Sequence, residues 1–195
     1  GDIQGPWEAR WGYTCPAVAD WSGNGLPDIL MNDSTARHMV FLNHGTPTRP
    51  KLDEGSPLYV DGLDLHGTWR AKPAVAALDG RMAYVILDDD DEFHLFWRID
   101  DFNLEDGGKL LLEDGSTIRG NGLEAGGTGR LKLNLCDWDG DGRVDMIVGT
   151  TRNGSVPNLE RGLPRTLGLP GAAILFLKNV GTNREPVFRF PELVT

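Results

Sequence analysis

Asp137-Trp138-Asp139-Gly140-Asp141-Gly142-Arg143-Val144-Asp145 constrains this chain more than any other stretch. Acidic side chains stand at loop positions 1, 3, 5 and 9, with glycines at 4 and 6. Glycine reaches backbone conformations closed to other residues, so this segment can curl around a small volume. Calcium is a hard cation with about 6–8 oxygen ligands, and alternating carboxylates on such a curl suit it. Asp137, Asp139, Asp141 and Asp145 are the candidate side-chain ligands, with the main-chain carbonyl of Arg143 as a further one. An EF-hand would need an acid at Val148 and helices on either side. The flanks Leu131-Lys132-Leu133-Asn134-Leu135 and Met146-Ile147-Val148 read as strands instead. The pattern predicts a calcium loop between two β-strands.

A second, weaker copy is Asp20-Trp21-Ser22-Gly23-Asn24-Gly25-Leu26-Pro27-Asp28. It keeps the Asp-Trp start, both glycines and the last Asp. Ser22 and Asn24 supply neutral oxygens where the other loop has carboxylates, so weaker binding is expected. Its candidate ligands are Asp20, Ser22, Asn24, Asp28 and the carbonyl of Leu26. Two structural calcium ions are therefore anticipated.

The 195 residues carry a formal charge of −10, which disfavours a nucleic-acid partner. No apolar run is long enough for a membrane span. The 26 glycines and 12 prolines fit a turn-rich all-β chain, and long helical periodicity is missing. Cys15 and Cys136 are too few for a disulfide scaffold and read as small buried apolar groups; their pairing stays open. Loops of this kind suit millimolar calcium, which points to an extracellular, periplasmic or cell-surface location.

The two loops belong to a longer repetition. Pro16-Ala17-Val18-Ala19 recurs as Pro73-Ala74-Val75-Ala76. Phe41-Leu42-Asn43-His44-Gly45-Thr46-Pro47 parallels Phe176-Leu177-Lys178-Asn179-Val180-Gly181-Thr182-Asn183. Pro50-Lys51-Leu52 and Pro186-Val187-Phe188 follow at similar distances. Three repeats emerge, at about 13–60, 70–114 and 130–190, each read as four short strands. Their fourth strands are expected near Leu58–Val60, Lys109–Leu112 and Val187–Phe190. In the second repeat the metal loop has shrunk to Ala77-Leu78-Asp79-Gly80-Arg81.

These residues resemble the FG-GAP or VCBS-type repeats of secreted bacterial proteins and of integrin α propellers. The resemblance implies a partial β-propeller of three four-stranded blades, one segment over 1–195. Its calcium loops would lie between the first and second strands of blades 1 and 3. Propellers typically have about 4–8 blades, so open sheet sides would invite another copy or the remaining blades of a longer propeller.

Loops away from the calcium would then carry function. Tyr13, Arg70 and Arg130 are equivalent positions before the inner strands, Trp69 and Arg119 lie in the same connections, and Arg152 lies in a long second-to-third insertion of the third repeat, Thr151–Gly171, that adds positive charge to the same face. Arginine grips carboxylates bidentately and aromatic rings stack, which suits an acidic polysaccharide. The competing assignment is structural ion pairing and packing. His66 is the candidate general acid or base. Some propeller polysaccharide lyases resemble this architecture, although no lyase motif stands in the chain. The alternative function is a protein-interaction or adhesion propeller without catalysis. The run Asp88-Asp89-Asp90-Asp91-Glu92 reads as a solvated turn.

Overall fold

A computed structural model describes residues 14–120, 131–150 and 173–194. Among these residues the protein is all-β, built from several sheets, none closed on itself. The first sheet is a meander of β1 (Ala17–Ala19), β2 (Asp28–Asn32), β3 (His38–Phe41) and β4 (Ser56–Pro57). A hairpin of β5 (Tyr59–Val60) and β6 (Leu63–Asp64) follows. The second meander comprises β7 (Ala74–Leu78), β8 (Arg81–Leu87), β9 (Phe93–Arg98) and β10 (Asn103–Lys109), then β11 (Leu111–Leu112). The third contains β12 (Lys132–Cys136), β13 (Asp145–Gly149) and β14 (Ile174–Leu177). Its outer strand is β16 (Glu192–Leu193), which follows the short β15 (Val187–Phe188).

The expected fourth strands are the main correction. Tyr59–Val60 pairs in parallel with Asn103–Leu104 of the second sheet, and Leu111–Leu112 with Val187–Phe188. The strands that close the meanders are β4, β10 and β16. Each apolar run after a meander is thus a latch onto the next repeat. Leu58 and Leu110 are buried at the crossing, and their N–H groups donate to His38 O (3.0 Å) and Phe93 O (2.7 Å). An apolar run announces a strand but says nothing of its partner.

The second sheet is covered on both faces. Along β8, Ala83, Val85 and Leu87 pack towards Leu133, Met146, Val148, Leu175 and Leu177 of the third sheet. Tyr84 and Ile86 pack towards Trp21, Leu30, Val40 and Leu58. A strand buried on both sides reads as a continuous apolar run, and β8 does. In β2 buried and half-buried residues alternate, as on a strand with one covered face. The first strands lie side by side, with β7 between β1 and β12. Lys72 bridges Lys132 in parallel, and its Nζ donates to Leu133 O at 3.0 Å.

The acidic run at 88–92 is not simply solvated. Asp88 Oδ1 accepts the N–H groups of Asp90 (2.9 Å) and Glu92 (3.0 Å), and both Asp88 and Glu92 are buried. The Lys109 ammonium binds Asp88 and reaches Asp90 at 3.1 Å and Glu92 at 3.2 Å. The same turn occurs at Asp33, whose Oδ1 accepts from Thr35 (2.8 Å) and Arg37 (3.2 Å). A short polar side chain replaces a main-chain acceptor in both turns.

His38 shows why pH matters to this fold. Burial pushes its imidazole down to about 3; His66 adds to this and Asp33 opposes it. Burial raises the Tyr84 hydroxyl, which is hydrogen-bonded to His38 Nδ1 at 2.7 Å. The unfolded chain, with a histidine near 6.5, therefore takes up a proton before the folded one. Stability present above pH 6.5 is lost as pH falls towards 3. Urea unfolding is expected to show a loss of about 2–3 kcal/mol between pH 6.5 and 4.5 from this group, absent in His38→Met.

Candidate metal centre

The acidic loop of the third repeat bends through two left-handed glycines, Gly140 (φ 76°) and Gly142 (φ 83°). The first repeat uses Gly23 (φ 76°) and Gly25 (φ 82°) in the same way. These bends turn loop amides inward onto the first carboxylate. Asp137 Oδ1 accepts from Gly140 (2.8 Å) and Asp141 (3.0 Å), and Oδ2 from Gly142 (3.0 Å). Asp20 Oδ2 accepts from Gly25 at 3.1 Å.

Asp145 opens β13 and is fully buried, as is Asp28 at the start of β2. Asp145 Oδ1 accepts the N–H of Asn179 (2.8 Å), and Oδ2 that of Trp138 (3.1 Å). Asp28 Oδ1 likewise accepts from Asn43 (2.7 Å), and Oδ2 from Ser22 (2.8 Å). Asn179 carries the link onward: its Oδ1 accepts from Gly181 (3.0 Å) and Val187 (3.3 Å), and its Nδ2 donates to Val144 O (3.2 Å). Asn43 makes the corresponding bonds to Gly45 (2.9 Å), Lys51 (3.0 Å) and Pro27 O (3.1 Å). Each loop is thus tied by a buried Asp–Asn bracket to the end of its third strand.

The bracket also corrects the motif alignment. Ile29 pairs with Phe41, and Met146 with Leu177, so Phe41 is equivalent to Leu177 rather than Phe176. Lys178 then stands where the first repeat has Leu42. Asn43, Asn179 and Lys178 stand within the repeated motif, where spacing alone gives them no role. The recurring Asn-x-Gly-Thr spacing was the available signal.

Ligand atoms of Asp137, Asp139 and Asp145 lie within 4.8 Å of one another. Two oxygens bound to one calcium stand at most about 5 Å apart, so the donor set fits that ion. Asp141 is drawn elsewhere: Arg143 (2.6 Å) and Lys178 (2.9 Å) hold it, and together they keep its carboxyl well below the usual range. Lys178 also binds Asp139, so one cationic side chain already shares this cluster. In the first loop the Ser22 hydroxyl oxygen is buried without a hydrogen-bond partner, a free donor at loop position 3. Asn24 Oδ1 accepts from Leu26 at 2.8 Å.

No family model, curated protein or solved structure matches this chain.

The other candidate residues do not form one site among the described residues. His66 is exposed, with Nδ1 3.1 Å from Asp64 O. The Arg70 guanidinium lies over the exposed Trp69 ring at 3.6 Å, on a left-handed backbone (φ 68°). Arg119 pairs with Glu92 at 2.7 Å, the structural alternative to ligand binding. His66 and Arg119 hold equivalent places, bridging Arg37 and Glu92. Tyr13, Arg130, Arg152 and the insertion at 151–171 lie outside the described residues. Among the described residues neither cysteine is in a disulfide; Cys15 is half-buried and Cys136 exposed, against the expectation of buried apolar groups.

Proposed function

We propose that the chain is a calcium-stapled, three-blade portion of an FG-GAP or VCBS-like β-propeller, acting outside the cytoplasm as a binding module. The observation that carries this is the Asp–Asn bracket, present at both acidic loops with the same partners. Asp137, Asp139 and Asp145 would hold one ion; Asp20, Ser22 and Asn24, beside Asp28, would hold a weaker one. Bound calcium supplies the positive charge that keeps oxygen-rich loops closed. The second repeat supports a structural role, because its Asp79-Gly80 turn lacks the ligand set. Asn183 Nδ2 ties that turn to the third repeat through Asp79 Oδ1 at 2.9 Å.

An acidic polysaccharide is the proposed ligand, received on the Trp69–Arg70 pair. The stacked ring and guanidinium support it, since that pair presents an apolar face and a cation together. His66, whose Nδ1 lies 3.1 Å from the Asp64 carbonyl, would position substrate or move a proton. The second reading, an adhesion module without catalysis, is favoured by the exposed Trp138.

Calcium titration tests the metal. With extracellular-type affinities of ~10⁻⁴–10⁻³ M, saturation near 1 mM adds about 0.4–1.4 kcal/mol per site. A melting temperature unmoved by calcium or chelator would sink the proposal. A glycan array tests the ligand: binding to uronate polymers should fall about tenfold in Arg70→Ala. No uronate affinity, or no effect of that substitution, leaves the adhesion reading.

A further inference from the structure

Three positions behave differently at the ends of the sheet stack than inside it. Trp21, in the first loop, is 1% exposed. Its Nε1 donates to Asp101 O of the second repeat (2.9 Å) and its ring meets Tyr84 edge-on at 5.8 Å. Trp138 stands at the same loop position of the third repeat and is 54% exposed. Ile174, equivalent to the buried His38, is 51% exposed.

The opposite end shows the complementary difference. Leu104, Phe188 and Leu52 are equivalent, paired with Arg98, Asn179 and Asn43 respectively. Leu104 (2%) and Phe188 (1%) are buried where latches β5 and β11 add alongside them. Leu52 is 40% exposed, and among the described residues no strand adds there. The face beside it offers Ile29 and Phe41, half-buried, at the places of Tyr84 and Phe96.

We propose that the outer face of the third sheet docks on the outer face of the first sheet of a second copy, head to tail. Trp138 of one copy would take the place that Trp21 takes against the second sheet. Ile29, Phe41 and Leu52 of the other copy would form its seat. The occupant follows from the molecule's own first seam, where the same loop tryptophan packs in one cluster with Tyr84, Phe96 and Leu104. The proposal rests on the three-blade propeller portion put forward above. A contact between unlike surfaces closes into a ring if the rotation allows, and otherwise extends.

Sedimentation with calcium present tests it. At about 100 µM the unaltered chain should sediment as two copies or more. Trp138→Glu alone and Leu52→Glu alone should each sediment as smaller species. Their mixture should re-associate through the one intact seam. A single-chain mass throughout overturns the proposal, as does a dimer that Leu52→Glu leaves whole, because that would be face-to-face packing of two third sheets. Amide exchange in β8 separates the failures. Protected β8 with a single-chain mass removes the docking only, whereas unprotected β8 removes the stacked array beneath it.

Discussion

Asp145→Ala is expected to destabilise the protein by about 2–5 kcal/mol and to abolish the calcium binding proposed for the third repeat's loop. The carboxylate is fully buried and accepts two main-chain N–H groups, from Trp138 and Asn179. Alanine leaves both donors without a partner, at about 1–3 kcal/mol each. It also frees the acidic loop from the third strand. Asp145→Asn keeps one acceptor and the shape but removes the charge, so it should fold better while still losing the proposed ion. Asp141→Ala is the contrasting control. That side chain is engaged by Arg143 and Lys178 at the surface, so stability should change little. Urea unfolding in chelator separates the bracket from the metal, and calorimetric titration counts the sites. Equal effects of the Asp145 and Asp141 substitutions on unfolding would contradict the bracket.

Gly181→Ala is expected to cost about 3 kcal/mol or more and to lower the melting temperature by roughly 6–12 °C. An added Cβ would collide with the Glu185 carbonyl and lie 2.8 Å from the Val187 nitrogen. Both are main-chain atoms, Val187 N bonded to Asn179 Oδ1 and the Glu185 carbonyl to the Thr182 N–H (3.1 Å), so neither swings aside as a flexible side chain would. Gly45→Ala meets the same obstacle at the Arg49 carbonyl and the Lys51 nitrogen. Gly142→Ala differs in kind. Its φ of 83° strains any other residue, but the space is open. A cost of only about 1–2 kcal/mol is expected there. Thermal melts of the three variants should therefore separate close approach from backbone conformation. Similar melting temperatures for all three would contradict the close approach.

Much of the local structure was legible because it depends on neighbours in sequence. The alternation of acids and glycines announced both loops, and short apolar runs announced the strands. Asp28 and Asp145 were singled out as ligands on spacing alone. Their burial and their grip on Asn43 and Asn179 were not, since the bracket joins residues far apart in the chain. The latch strands failed for the same reason. Leu58-Tyr59-Val60 has the pattern of a strand whichever sheet receives it, and the seam between repeats made the choice. The acidic run at 88–92 read as solvated because its charge was visible and Lys109, which binds three of its carboxylates, was not adjacent.

By itself the sequence determined an all-β chain of repeats, and it determined which turns gather oxygen. Periodicity and turn chemistry are properties of a few consecutive residues, so no distant contact can alter them. The tertiary structure decided which strand joins which sheet, which of two equivalent tryptophans is buried, and which aspartates face one another. Those outcomes depend on what packs against a residue from another repeat, and a pattern repeated in sequence is silent about whether its neighbour is present.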